Sequence, residues 1–566
     1  MQPSDGISRR GLLRLGAGVA WTALGAQLLA ACSPAAPAGN AGTSGAAGAS
    51  SGSTSRGPVQ LPTSVPMANL PQPDLPGTPD GLVMPGYLRY PANLVRSVPQ
   101  PPGHGGEVNA LTVSLSPAPT PLDQNAAWQQ VNRELGVTLK VPSISTVDYP
   151  TRLSTTVAGS DLPDLIAAAI LATTLANLAD FLDSACADLT PYLSGDAVKA
   201  YPNLANLPTS AWLPSVFNNK IMAVPVASGG IRSNAPILFA RWGDLDSAGI
   251  TGINSLDEFT GIARQLNNPS GNRWALGANK FVNWMTQVFG GPNNWRESGG
   301  KFTKDWETPE FKDAVAYHRS LWDAGLFHPD SAALSGSPAG AQFYAGRYVF
   351  SAYASWSSYQ TTWDRATAAD PNFKPRAVLP FSKDGHGRAP QFLGSGGTGI
   401  VALKKAPAER IKELLGILNY LAAPMGTTEQ LLLQYGVEGA EFTRDASGNP
   451  VPTPQAAQDM AVPWKYVGAP PDFLFSATSA DYVTVAHQTQ TEHFAVTLAD
   501  PSVGLYSPTD GSKGAILRTT FTDGLAEILF GKRPVSGLDD LVKDWRSNGG
   551  DRTRAEYEQA FQASKG

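Results

Sequence analysis

Cysteine is nearly absent from this chain: Cys32 and Cys186 are the only two in 566 residues. With Cys32 consumed near the N-terminus, as argued below, no intramolecular disulfide can form. An exported fold of this kind must stand on its hydrophobic core. Cys186 ends the run Phe181-Leu182-Asp183-Ser184-Ala185-Cys186 and reads as a buried, inert thiol. Charge is also scarce. Asp, Glu, Lys and Arg make up 16% of the residues, and the formal net charge is −5. No basic run and no basic isoelectric point suggest nucleic acid as a partner. Histidine is rare, with His104, His318, His328, His386, His487 and His493 scattered along the chain. No two stand in a zinc-binding HExxH pattern. The loop Asn267-Asn268-Pro269-Ser270-Gly271-Asn272 has no carboxylate, so calcium is not expected there. No metal and no cofactor is expected.

What is present begins with an export signal. Ser8-Arg9-Arg10-Gly11-Leu12-Leu13-Arg14 precedes an uncharged stretch over residues 15–31. A basic region, an apolar run and a small-residue cleavage site are the parts of a secretory signal. The paired arginines resemble a twin-arginine signal, with Leu12 where Phe is commonest. Leu29-Ala30-Ala31-Cys32 resembles a lipobox, whose Cys receives a diacylglyceryl group before cleavage. The stretch is Gly/Ala-rich and shorter than the roughly 20 apolar residues of a membrane span. Residues 1–31 are therefore expected to be removed, and Cys32 to become a lipid-bearing N-terminus with palmitate-type chains. The protein would sit on the outer face of the cell membrane, or on the periplasmic side where there are two membranes.

Residues 32–105 are rich in Ala, Gly, Ser and Pro and have little apolar periodicity. They are expected to form a disordered tether, with Tyr87 and Tyr90 hinting that its end touches the body. From residue 107 strands alternate with helices: strand 108–115, helix 124–135 closed by Gly136, strand 137–141, helix 149–158, strand 165–169. This alternation predicts an α/β layer with parallel strands. Ser255 and Glu258 form a capping box before a helix, and a helix carrying Phe311, Val315 and Trp322 ends at Gly325. Ile411, Leu414, Leu415, Leu418 and Leu421 make the clearest helical stripe. Asp445-Ala446-Ser447-Gly448-Asn449 reads as a hairpin turn.

Several patterns mimic enzyme motifs. Gly394-Ser395-Gly396-Gly397-Thr398-Gly399 matches G-x-G-x-x-G by letter. A strand pattern, Ile400-Val401-Ala402-Leu403, follows it, whereas a dinucleotide site needs a helix start. A hinge crossing beside the cleft, with Gly allowing close backbone approach to ligand, fits better. Asp161 and Asp164 read as turn and strand-edge residues rather than a glycosidase pair, and no G-x-S-x-G elbow is present. Thirteen Trp are notable, because an indole can stack on the apolar face of a sugar ring. Tyr353-Ala354-Ser355-Trp356-Ser357-Ser358-Tyr359 mixes aromatics with hydroxyls just after a strand, which makes Trp356 and Tyr359 candidate ligand contacts. Trp363 is open between cleft and core. Arg232, after Ser228-Gly229-Gly230-Ile231, could bind a carboxylate bidentately or form a hinge salt bridge.

Four segments, in order, carry a resemblance. They are Asp148-Tyr149-Pro150-Thr151-Arg152-Leu153 with Gly159-Ser160-Asp161-Leu162-Pro163-Asp164; Asn219-Lys220-Ile221-Met222-Ala223-Val224-Pro225; Thr308-Pro309-Glu310-Phe311 through Trp322-Asp323-Ala324-Gly325; and Gln434-Tyr435-Gly436-Val437-Glu438-Gly439. Together they resemble the family 1 extracellular solute-binding lipoproteins of ABC importers, the maltose-binding-protein-like sugar receptors. The resemblance implies a type II periplasmic-binding-protein fold: two α/β lobes joined by hinge strands, with ligand in the cleft between them. The lobes would comprise residues 106–226 plus 404–470 and residues 227–403 plus 471–566. The implied activity is capture of a carbohydrate, an oligosaccharide in particular, and delivery to permease subunits by a monomer without enzymatic turnover. The resemblance adds support for Trp356 and suggests Asn279, Phe281 and Trp284 from the other side of the same lobe, with Ser228 and Arg232 beside the crossing strand. Ala167-Ala168-Ala169-Ile170 departs from the family, which has polar or aromatic residues there. A non-sugar solute and, more remotely, a surface glycan-active enzyme are the alternatives.

Overall fold

The computed structural model describes residues 59–565, apart from 160, 172, 176, 229–234, 278–280, 335, 353–355 and 395–396. The first lobe opens with β1 (Glu107–Leu111), α1 (Ala126–Leu135), β2 (Thr138–Lys140), α2 (Tyr149–Ala158) and β3 (Leu165–Ile170). Each boundary has a local cause. Asn125 caps α1 by accepting from the Trp128 N–H, and Gly136 ends it in the left-handed conformation at φ 70°. Pro150 sits in the first turn of α2, where its missing N–H costs nothing. β3 reads Leu-Ile-Ala-Ala-Ala-Ile and is covered on both faces, as a continuous apolar run should be. After α3 (Leu178–Ala185) the chain reaches β4 (Val224–Val226) and crosses to the second lobe.

There follow β5 (Phe239–Arg241), α4 (Leu256–Leu266), β6 (Trp274–Gly277), α5 (Phe281–Val288), α6 (Pro309–Asp323), β7 (Tyr348–Ser351), α7 (Tyr359–Ala369) and β8 (Pro375–Ala377). The chain returns to the first lobe with β9 (Gly399–Leu403) and α8 (Ala408–Leu421). It crosses once more and ends in the second lobe, which adds α9 (Ala480–His493) and α10 (Ala515–Leu529). The main sheets run β2-β1-β3-β9-β4 and β6-β7-β5-β8. In each, the strand that enters straight from the other lobe is antiparallel to its neighbours. It comes in at the edge where the other strands end.

The first core gathers Val108, Leu139, Ile166, Trp212, Val226 and the α8 leucines; the second gathers Phe259, Phe281, Trp284, Phe311 and Phe350. A third cluster, around Phe239, Tyr359 and Tyr482, covers the opposite face of the second sheet. Alternate residues of β5 serve the two faces, Ala240 one and Phe239 the other. Among the described residues no helix is long and apolar enough to cross a membrane.

Two expectations are corrected. β9 was expected in the second lobe, with the boundary at residue 404, yet it pairs between β3 and β4 in the first. An apolar pentapeptide carries no label for the sheet that will take it. The second correction concerns the tether. Its residues 59–105 form an ordered strap; residues 32–58 lie outside the described residues. The strap runs on the first lobe (Thr63 N–H to Gly195 O, 3.0 Å; Val65 N–H to Ala205 O, 2.7 Å). It then joins the second, where Gly86–Tyr87 pairs in parallel with Leu474–Phe475 and Met84 N–H donates to Gln490 Oε1 at 3.0 Å. It returns to the first lobe, with Val98 N–H on Glu429 Oε1 (2.7 Å) and Gly103 N–H on Leu135 O (2.9 Å). Composition misleads here because prolines leave fewer N–H groups to satisfy and preset an extended backbone. Sparse anchors then suffice, and Tyr87 and Tyr90 are buried among them. A cavity of about 420 Å³ lies between strap and hinge, bordered by Met84, Ala227 and Phe473.

Candidate functional site: the interlobe cleft

The carboxyl ends of β1, β3 and β4 and the start of β9 share one edge of the first sheet, and the chain leaves for the second lobe from that edge. In open α/β sheets this is where ligands bind. Two crossings are zipped together on its floor. Thr398 N–H donates to Val226 O at 3.0 Å, and Leu171 N–H donates to Thr398 O at 2.8 Å. Thr398 Oγ1 donates to Ser228 O at 2.5 Å and lies 2.9 Å from Ser228 Oγ. With the threonine proton used, the serine hydroxyl is the donor of that last bond. A Cβ on Gly399 would lie 2.3 Å from Ala169 O, so glycine is required there. The expected close approach to ligand is corrected at Gly399, where it is to the backbone of the neighbouring strand, and the segment leads into a strand as expected. Ser395 and Gly396 lie outside the described residues.

The rim of the first lobe is apolar. Leu115, Val147 and Leu171 follow the carboxyl ends of β1, β2 and β3 and are 61%, 84% and 38% exposed. Leu171 also has φ +53°. A leucine in left-handed backbone is uncommon, and such conformations gather at functional sites. Across the gap Phe217 of the first lobe meets Tyr506 of the second, ring centroids 6.3 Å apart. Burial, then the Asp180 carboxylate of α3 and Glu556, raise the Tyr506 pKa. The segment 459–466 completes the first-lobe side. Asn125 Nδ2 at the α1 N-terminus donates to Asp459 O (2.8 Å), and Thr112 Oγ1 just past β1 donates to Tyr466 O (2.9 Å).

The sequence-based candidates fare unevenly. Ser228 stands on the cleft floor. Asn279, Arg232 and the lipidation candidate Cys32 lie outside the described residues. Phe281 and Trp284 are core side chains, packed on Phe259 at 5.7 and 6.2 Å. Tyr359 is spent on Phe239 (4.6 Å) and donates its hydroxyl to Pro375 O at 3.1 Å. Trp356, 1% exposed, packs on His493 and Phe494 at 5.0 and 5.1 Å. These four are corrected from ligand contacts to interior packing. Tyr359, Thr362, Trp363 and Ala366 form the buried face of α7, and that helical spacing was in the sequence. Leu115, Leu171 and Tyr506, which border the cleft, were not among the sequence-based candidates; looking just past each strand end would have found the first two.

Asp164 precedes β3, at the edge opposite the cleft. It accepts from Asn109 N–H (3.0 Å) and pairs with Arg410 (3.2 Å). Among the described residues no group of His, Cys, Asp and Glu could hold a metal ion.

The model of the bacterial extracellular solute-binding protein family matches residues 126–437, more than half of the chain. The chain belongs to this family. A relative is lipoprotein LipO of Bacillus subtilis, 22% identical over 493 residues, which are 82% of this chain and 94% of LipO. The polygalacturonan/rhamnogalacturonan-binding protein YtcQ of the same organism is 24% identical over 392 residues, 66% of this chain and 76% of YtcQ. Among solved structures, an HMO-binding, ABC-transporter-associated solute-binding protein of Bifidobacterium longum infantis superimposes with TM-score 0.61 at 14% identity, covering 81% of this chain and 99% of that one. The alginate-binding protein AlgQ2 gives TM-score 0.59 at 14% identity over 82% of this chain and 100% of AlgQ2. At that identity the structures establish the fold: a type II solute-binding protein.

Proposed function

We propose that this solute-binding protein captures an oligosaccharide in the interlobe cleft and passes it to the permease of an ABC importer. The observation that carries the reading is the hinge floor at Ser228 and Thr398, set between an apolar rim on one lobe and Tyr506 on the other. Hydroxyl-bearing residues beside exposed aliphatic and aromatic surface suit a sugar, which has both polar edges and apolar faces. A two-lobe clamp converts such contacts into closure that a permease can sense. The names of YtcQ, AlgQ2 and the Bifidobacterium protein, all binders of glycans, support the ligand class. Ser228, Arg232 and Asn279 are the proposed polar contacts from the sequence, joined by Leu171 and Tyr506. The protein works as a monomer held at the membrane by lipid on Cys32, after export through the Arg9-Arg10 signal; LipO, by its name, is also a lipoprotein.

Calorimetry of the exported chain against a panel of oligosaccharides tests this reading. Saturable binding without release of shorter products is expected. Binding only to peptides or small organic acids would replace the ligand class, and glycan cleavage would make the protein an enzyme.

A further inference from the structure

One lysine of the first lobe stands apart. Lys140, Lys199, Lys220, Lys404 and Lys412 each lie within 4.0 Å of a carboxylate. Lys405 donates to the carbonyls of Asp183 and Ser184 at 2.9 and 2.7 Å. Lys465 makes no ion pair and no hydrogen bond with any described residue. Its side chain is exposed, and its ammonium lies 5.2 Å from the centroid of the Tyr466 ring. Its neighbours pin it to the cleft edge. Tyr466 O takes the Thr112 hydroxyl just past β1, and Asp459 O takes the α1 N-cap amide. The nearest acid in sequence, Asp459, is buried and occupied by Thr120 and by Gln455 Nε2 (2.8 Å).

We propose that Lys465 is a ligand contact in the interlobe cleft, and that the oligosaccharide it receives carries an acidic substituent, a uronate carboxylate or a sulfate ester. This rests on the reading of the cleft as an oligosaccharide site. The physical case is an unspent cation. An exposed lysine on an open convex surface is fully hydrated and selects nothing. Lys465 differs in its place: the Tyr466 ring lies beside its ammonium, and the bonds that fix residues 459 and 466 hold it at the cleft edge. An ammonium held at a cleft edge without a counter-ion gains from an anion that reaches it. The tyrosine face beside it holds the amine in place by a cation–π contact. A single positive charge matches one acidic group on one sugar residue.

The experiment compares an oligogalacturonate with its methyl ester, and a sulfated galactan oligomer with its desulfated form, by calorimetry at low and high salt. The wild type is expected to prefer at least one acid over its neutral twin by about tenfold or more, as a charge-assisted bond implies. The preference should shrink with salt. Lys465→Gln should lose the preference while retaining the wild-type affinity for the neutral twin, and Lys465→Arg should keep most of it. Which acid is preferred distinguishes carboxylate from sulfate. An unchanged melting temperature in both variants shows that folding is not the cause. Equal wild-type affinity for acid and neutral forms overturns the proposal and leaves the oligosaccharide reading standing, as does an undiminished acid preference in Lys465→Gln. Binding of no oligosaccharide at all overturns both.

Discussion

Leu171 shows how much one residue can concentrate. It follows β3 directly, holds a left-handed backbone, leaves its side chain partly in solvent and donates its N–H to Thr398 O across the hinge floor. That conformation costs a leucine roughly 1–2 kcal/mol. Leu171→Gly should therefore leave the thermal midpoint unchanged or raised while weakening oligosaccharide affinity severalfold; a lowered midpoint would mean that the side chain serves packing instead. The histidines act at the same scale. His318 sits among Phe281, Phe327 and Phe530, and burial lowers its pKa to about 3. His493 is lowered to about 4, again by burial, against the opposing pull of the Thr489 and Val378 carbonyls. Both are neutral in the fold, whereas the unfolded chain takes up protons near pH 6.5. The unfolded state then binds more protons, so stability rises with pH in this window. It should be constant above about pH 6.5 and fall as the pH drops towards 4. Urea unfolding at pH 7 and pH 5 measures the drop, and His318→Leu should reduce it.

At the scale of elements, α7 carries the clearest revision. Trp356 opens the turn that feeds this helix, and its indole is closed in by Tyr359, His493 and Phe494. Trp356→Ala should cost about 3–5 kcal/mol of stability, as large core truncations do. Calorimetric unfolding checks this. An unaltered melting temperature with lost ligand binding would return the indole to the cleft. α4 shows the opposite relation of sequence to structure. Ser255 accepts from Glu258 N–H as its position predicts, while Glu258 reaches back one residue further than in the standard box, to Asn254 N–H at 2.7 Å. The cap is local and legible. The destination of an aromatic on a strand-to-helix loop is not, because cleft and core offer an indole similar surroundings one residue apart.

At the scale of the whole molecule, the strap changes what the hinge is. Three passages of chain join the lobes, and residues 59–105 add two more by running from the first lobe to the second and back. Met84 belongs to the third core cluster, and Tyr87 and Tyr90 form a fourth with Met425 and Phe475. A chain beginning at residue 106 would expose these surfaces. It should melt well below one beginning at residue 59 and bind oligosaccharide more weakly, measured side by side by thermal shift and calorimetry. Equal melting would reduce the strap to a passive covering.

The sequence by itself determined the local pieces: α2 over Tyr149–Ala158, the Gly136 stop of α1, the buried run of β3, the α8 stripe, the hairpin turn at Asp445–Asn449 and a buried Cys186 whose thiol pKa is pushed up to about 12. Each follows from period, cap or turn chemistry within a dozen residues. It also carried the two-lobe fold, through the order of four family segments. Only the tertiary structure decided which sheet takes Gly399–Leu403, that a Pro-rich segment lies ordered across both lobes, that Trp356, Tyr359, Phe281 and Trp284 face inward, and that Lys465 stands at the cleft edge without an ion-pair partner among the described residues. Those outcomes depend on partners hundreds of residues away, and burial, unlike periodicity, is a property of the partners.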